Sequence, residues 1–74
     1  MSAAVSFGDV SRMLDKCAPG HKLRLATHSR VVTFNRKIYR SLPKFDNIEL
    51  GHIRKMIRYL QISWDCAREY IPQL

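Results

Sequence analysis

The sequence predicts a small α+β protein, a two-layer sandwich in the order α-β-β-β-α with a short helix appended near the C-terminal end. Three observations predict this class. Two segments with apolar residues at three- and four-residue steps flank a segment in which polar and apolar residues alternate. The connections inside the alternating segment are short enough for hairpins. A three-stranded sheet needs cover on one face, and the two amphipathic helices can supply it.

The 74 residues are expected to form one domain, 1–74, with residues 1–5 as a flexible tail. A chain of this size buries only about 60% of its unfolded surface, so its stability is expected to be small. A hydrophobic content of 46% is typical of a folded chain and argues against disorder.

Two of the three predicted helices have a recognisable start, whereas the start of the second is left open among Asp46, Asn47 and Glu49. The stretch SFGDVSRMLDKC has Ser6 as a candidate cap and Asp9 in the capping-box position three residues later. The stretch ELGHIRKMIRYLQI has apolar residues at helical spacing. In SWDCAREYI, Ser63 is the candidate cap of a short last helix that Pro72 ends.

The segment between the helices predicts three strands, in HKLRLAT, RVVTFN and KIYRSL. Strict alternation in the third places Ile38, Arg40 and Leu42 on one face and Tyr39 and Ser41 on the other. Successive short links favour an antiparallel meander. With helices on one face, the other face is expected to be wet and basic.

Positive charge is concentrated in the middle of the chain. The net charge is +7, and residues 17–45 contain seven Lys or Arg and no acid, whereas the rest contains six of each sign. A concentrated positive field attracts phosphate polyanions or an acidic protein. We expect nucleic acid to be the partner, in preference to a basic surface kept only for solubility.

The two cysteines and the start of the chain indicate a compartment. The helices that carry Cys17 and Cys66 could meet and form a disulfide, but we expect two buried thiols in a reduced cytosol. No signal peptide and no membrane-spanning stretch is recognisable, so we expect a cytoplasmic protein. Cys17 and His21 have no second ligand pair at suitable spacing, so neither a metal nor a cofactor is expected.

A histidine between two hydroxyls lies where the first strand turns into the second. The imidazole of His28 can take or give a proton near neutral pH. Thr27, Ser29 and Arg30 beside it can bind phosphate oxygens. RNA carries its own nucleophile, the 2′-hydroxyl, so one base and a cationic surface can start its cleavage. An isolated histidine is also a common structural residue, and that alternative stays open.

Two stretches of the chain resemble a known family. ATHSRVVTF is similar to a Gly-Ser-His followed by a strand, with Ala26, Thr27 and His28 at the three positions, and ELGHIRKMIRYLQIS is similar to a Gly-Thr-Leu-Arg-x-Ile-Leu helix followed by Gly-Leu-Ser. These are motifs of the HicA-like toxins, small mRNA-cleaving partners of HicB-type antitoxins, and the resemblance covers residues 7–70. It implies a double-stranded-RNA-binding-domain-like fold, His28 as the catalytic residue and a small acidic antitoxin as partner. Ala26 would be strained if its φ were positive.

The residues themselves predict a basic sheet face that suits RNA, with His28 as a candidate general acid or base. The resemblance implies that the protein is a metal-independent endoribonuclease of the toxin–antitoxin type with mRNA as substrate. The residues expected to bind RNA are Lys22, Arg24, Thr27, Ser29, Arg30, Arg36, Lys37 and Lys44. Two alternatives stay open. One is a non-catalytic RNA-binding module of the same fold, and the other is a protein-interaction domain whose cations contact an acidic partner.

Overall fold

A computed structural model describes residues 3–74 and confirms the α+β class and the predicted order of helix, antiparallel strands and further helices. No helix within this range is long and apolar enough to cross a membrane. The elements are, in chain order, β1 (Ala4–Ser6), α1 (Phe7–Cys17), β2 (Lys22–Leu25), β3 (Arg30–Phe34), β4 (Lys37–Leu42), β5 (Asn47–Glu49), α2 (Leu50–Leu60) and α3 (Trp64–Tyr70).

A two-stranded antiparallel ribbon of β1 and β5 was not predicted. Val5 pairs with Ile48 at its centre, and both side chains are buried in the core. The Leu50 N–H donates to the Ala3 carbonyl oxygen at 3.0 Å. The expectation of a flexible tail is therefore wrong for residues 3–5, while residues 1 and 2 of that tail lie outside the described residues. Strands of three residues are too short for alternation to reveal them.

Helices α1 and α3 begin at the predicted caps, whereas α2 begins after Glu49, whose side chain makes no capping bond. The Ser6 hydroxyl oxygen accepts a hydrogen bond from the Asp9 N–H at 3.2 Å, and the Ser63 hydroxyl oxygen accepts one from the Cys66 N–H at 3.3 Å. These bonds satisfy donors that the first turn of each helix leaves free. At the C-terminal end of α2, Gln61 adopts a φ of 59° and ends the helix in a left-handed cap.

The larger sheet has the predicted antiparallel order β2-β3-β4. Leu23, Val32 and Tyr39 are paired across the three strands and therefore share a face, and all three contribute to the hydrophobic core. Helices α1, α2 and α3 supply most of the other buried side chains. We call this helix-covered side the inner face and the opposite side the outer face.

A β-bulge changes the face assignment in β4. Two residues of β4 lie opposite one residue of β3 between the pairs Val32–Tyr39 and Arg30–Leu42. Leu42 is consequently fully buried on the inner face with Tyr39, while Arg40 is exposed. The prediction that Arg40 and Leu42 share a face is wrong, because an extra residue breaks the alternation on which it depended.

Cys17 and Cys66 form a disulfide that joins α1 to α3, with their Cα atoms 5.7 Å apart. The expectation of two free thiols is wrong. The two helices pack against each other and bring together residues 49 positions apart, a proximity that the sequence alone left open. The bond also excludes Cys17 from any metal site shared with His21.

Candidate functional site

The turn that carries His28 connects β2 to β3 through residues 26–29. The Ala26 N–H donates to the Ser29 carbonyl oxygen at 2.8 Å and closes the turn. The His28 side chain is exposed, and within residues 3–74 it makes no hydrogen bond or ion pair. Among the described non-glycine residues, positive φ occurs only at three positions outside this turn, so Ala26 is not strained.

Two long-range hydrogen bonds fix this turn to β4 and to the segment that follows it. The Ser29 hydroxyl donates to the carbonyl oxygen of Arg40 at 2.6 Å, at the bulge. The Lys44 ammonium donates to the carbonyl oxygen of Thr27 at 2.9 Å. Since the residues on both sides of His28 are bound in this way, Thr27 through its carbonyl oxygen and Ser29 through its hydroxyl, the imidazole projects from an ordered turn.

Arg30 lies at the inner edge of the sheet and makes contacts within the protein. Its Nη1 donates to the carbonyl oxygens of Pro43, at 2.7 Å, and Phe45, at 2.9 Å. Its guanidinium carbon lies 3.6 Å from the centroid of the Phe7 ring. These contacts hold the 43–46 loop in place and leave the Phe45 side chain 74% exposed.

The outer face carries three exposed cations, Lys22, Arg24 and Arg40, which we call the outer-face cations. Lys22 pairs with Thr33 and Arg24 pairs with Val31, which is only 3% exposed beneath its neighbours. No acid occurs in β2, β3 or β4, and none of these cations forms an ion pair with a described residue. The charge of this surface is therefore not neutralised within the fold.

Arg36 and Lys37 lie away from the His28 turn. Arg36 follows Asn35 in a two-residue turn with positive φ at both positions, at the far end of β3. The length of β3 separates the two turns by about 13 Å. The Lys37 ammonium lies on the inner side, 5.6 Å from the centroid of the Tyr59 ring.

The structure thus brings together only part of the predicted RNA-binding set. Lys22 and Arg24 share the outer face, and Lys44 lies beside the His28 turn, whereas Arg30 makes internal contacts. Sequence reasoning missed Arg40, since strict alternation assigned it to the side of Leu42. Phe45 was recognised in the sequence as a loop residue that could stack on a base but was not included in the RNA-binding set, and its exposed position depends on the loop bonds from Arg30.

This arrangement combines an exposed proton-transfer group with a surface for polyanions. An exposed imidazole can accept a proton from a bound ligand or donate one to it, and unpaired guanidinium and ammonium groups bind phosphate oxygens. Comparison of the chain with protein-family models, curated proteins and solved structures finds no match.

Proposed function

We propose that the protein is a metal-independent endoribonuclease of the toxin–antitoxin type that binds RNA along the outer face and cleaves it with His28. The observation that carries the proposal is the position of His28, an exposed imidazole on an ordered turn at one end of an acid-free basic face. The resemblance of ATHSRVVTF to the HicA-like motif supports the same residue as catalyst.

RNA would bind first through its phosphates. Arg24 and Arg40 are the outer-face cations nearest the His28 turn, since Arg24 is the penultimate residue of β2 and the Arg40 carbonyl accepts the Ser29 bond. An RNA strand that binds along these cations reaches the His28 turn with its sugar–phosphate backbone exposed to the imidazole. The Phe45 ring offers an apolar surface on which a base can stack at the same end of the sheet.

The chemistry needs one proton acceptor at the start. Neutral His28 removes the proton of the 2′-hydroxyl, and the 2′-oxygen attacks the adjacent phosphorus while the bond from phosphorus to the 5′-oxygen breaks. The leaving 5′-oxygen takes its proton from the imidazolium or from water. The products are a 2′,3′-cyclic phosphate and a 5′-hydroxyl end, and DNA is not cleaved because it lacks the nucleophile.

An acidic antitoxin of the HicB type is the partner that this proposal implies. A carboxylate-rich surface would pair with the outer-face cations and cover His28, so the antitoxin and RNA would compete for one face of the toxin. Action on mRNA implies that the protein cleaves in the cytoplasm, where the Cys17–Cys66 disulfide has to withstand a reducing environment.

A non-catalytic RNA-binding module is the second candidate, and one observation favours it. The Ser29 hydroxyl and the Lys44 ammonium already have partners within the protein. His28 would then have few free groups beside it to position a scissile phosphate, and its imidazole would serve only as a phosphate donor.

The two candidates are separated by His28→Ala, with His52→Ala on α2 as the matched control. We expect cleavage of a single-stranded RNA to fall by about 10²–10⁴-fold in His28→Ala while RNA affinity and the folded fraction stay unchanged. His52→Ala should cleave like the original protein. A substrate with 2′-deoxyribose at the cleaved position should resist cleavage by the original protein. Undiminished cleavage by His28→Ala rules out His28 as catalyst, and salt-dependent binding without any cleavage supports the binding module.

A further inference from the structure

A second cationic cluster lies in the helical layer, away from the outer face. An open cavity of about 430 Å³ is lined by Arg54, Arg58, Trp64, Arg68 and Leu74. Arg54 and Arg58 lie one turn apart on α2, and Trp64 and Arg68 lie one turn apart on α3. Neighbouring helical positions of like charge repel each other, so the fold brings three guanidinium groups together at an electrostatic cost.

The charges of this cavity are only partly neutralised. Arg68 forms one long ion pair, at 3.8 Å, with the exposed Asp65. Arg54 also donates through Nη2 to the carbonyl oxygen of Gln73 at 3.3 Å, and Arg68 donates through Nε to a backbone oxygen of the last residue, Leu74, at 3.4 Å. One nitrogen of Arg54 and two nitrogens of Arg68, Nε and Nη1, are therefore engaged.

Arg58 differs from the other two arginines of the cavity. Within residues 3–74 its side chain makes no hydrogen bond and no ion pair. Its five N–H donors are therefore free for a ligand, and together with the unused donors of Arg54 and Arg68 they suit an anion with several oxygens.

The indole of Trp64 gives the cavity an aromatic wall. Trp64 is half-buried against the core, and the guanidinium carbon of Arg68 lies 5.6 Å from its ring centroid. A guanidinium that stacks directly on a ring lies closer to it, as Arg30 does with its guanidinium carbon 3.6 Å from the Phe7 ring centroid. Arg68 is therefore over the Trp64 ring without stacking directly on it, and a planar group that stacks on the indole would displace this guanidinium toward the rest of the cavity.

We propose that this cavity binds a nucleoside phosphate, with the base against Trp64 and the phosphate between Arg54, Arg58 and Arg68. The cavity volume lies in the range of small-ligand sites. Guanidinium groups bind phosphate in a bidentate manner, and an indole is a stacking surface for any base. The phosphate can belong to a free mononucleotide or to the 5′ end of an RNA strand, and the same contacts serve both. This site is independent of cleavage at His28.

Trp64 is the only tryptophan of the chain, so its fluorescence reports on this cavity alone. The probes are adenosine 5′-monophosphate, adenosine, inorganic phosphate, and one short RNA with either a 5′-phosphate or a 5′-hydroxyl. We expect the monophosphate to change the emission saturably and adenosine to bind about tenfold more weakly, because it lacks the charge-assisted contacts. A stronger response to the 5′-phosphate RNA than to the monophosphate identifies the RNA end as the ligand, and the reverse order identifies the free nucleotide.

Arg58→Gln should weaken binding of the monophosphate by about tenfold. Lys55→Gln, on the same helix but outside the cavity, should not change this affinity. His28→Ala should leave the titration unchanged, which keeps this test separate from that of the ribonuclease. Equal responses to adenosine and its monophosphate, no saturable response, or a response only to an acidic peptide would overturn the proposal. If Arg58→Gln does not fold, the responses of the unaltered protein to the different probes still test whether the cavity binds a nucleoside phosphate.

Discussion

The two faces of the three-stranded sheet use their basic residues differently. On the inner face, Arg30 donates two hydrogen bonds to loop carbonyls and stacks on Phe7, and Lys37 lies over Tyr59. On the outer face, Lys22, Arg24 and Arg40 form no ion pair with any described residue. Seven cations in an acid-free segment therefore do not act as one set: some stabilise the fold, and others remain free for a polyanion.

Charge counts therefore predict the class of partner better than they predict which residues contact it. A residue on the inner face is expected to change stability when it is replaced, whereas one on the outer face is expected to change affinity and its salt dependence.

The largest effect on stability is expected from the disulfide, which touches neither face. Replacing both Cys17 and Cys66 with serine should lower the free energy of unfolding by about 2–4 kcal/mol, because the unfolded chain is no longer closed into a loop of 49 residues. Urea unfolding measures the loss. RNA affinity, measured where both proteins are fully folded, should not change. A loss of affinity there would show that the helical layer and the outer face are coupled.

Arg30→Ala tests the inner face. We expect the free energy of unfolding to fall by about 2 kcal/mol, since two charge-assisted hydrogen bonds and the contact with Phe7 are lost. Arg24→Ala, on the neighbouring strand but the outer face, is the matched control and should stay within about 0.5 kcal/mol of the original protein. Equal losses in the two variants would remove the distinction between the faces.

The double variant Arg24→Gln, Arg40→Gln tests the outer face. Its stability should change by less than about 0.5 kcal/mol. The slope of log affinity for single-stranded RNA against log salt should become shallower by about 1.4, or about 0.7 for each lost phosphate contact. Arg36→Gln, at the far turn, is the control and should leave the slope nearly unchanged. If the control and the double variant have the same slope, RNA does not follow the outer face.

The smallest effect concerns the inner-face residue Tyr39. Burial raises the pKa of its phenol above the ordinary value of 10.0. The unfolded chain therefore loses this proton at a lower pH than the folded protein, and stability contributed by the neutral phenol is lost as the pH rises above 10.0. Tyr39→Phe should remove this alkaline loss. Urea unfolding between about pH 8 and pH 11 measures it, and parallel curves for the two proteins would contradict the expectation.

Much of the fold was predictable, because it is encoded in local patterns. Ser6 and Ser63 mark helix starts, and Asn35 and Arg36 form the tight turn where the alternating stretches meet. The β1–β5 ribbon and the bulge were not predictable, since a three-residue strand shows no period and a bulge depends on the register of a partner strand.

The candidate site was predictable only in part. The exposed turn position of His28 followed from the links between predicted strands. The internal use of Arg30 did not, because its hydrogen-bond acceptors in the 43–46 loop come 13 and 15 residues later and are main-chain atoms that no side-chain pattern marks.

The bond between Cys17 and Cys66 has a consequence for how the chain responds to cutting. The loop of chain that this disulfide closes contains all three strands of the larger sheet, the His28 turn and α2. A protease that nicks the exposed turn leaves both pieces tethered to each other. On a denaturing gel the two fragments should migrate as a single species, and they should separate only after a reducing thiol cleaves the disulfide.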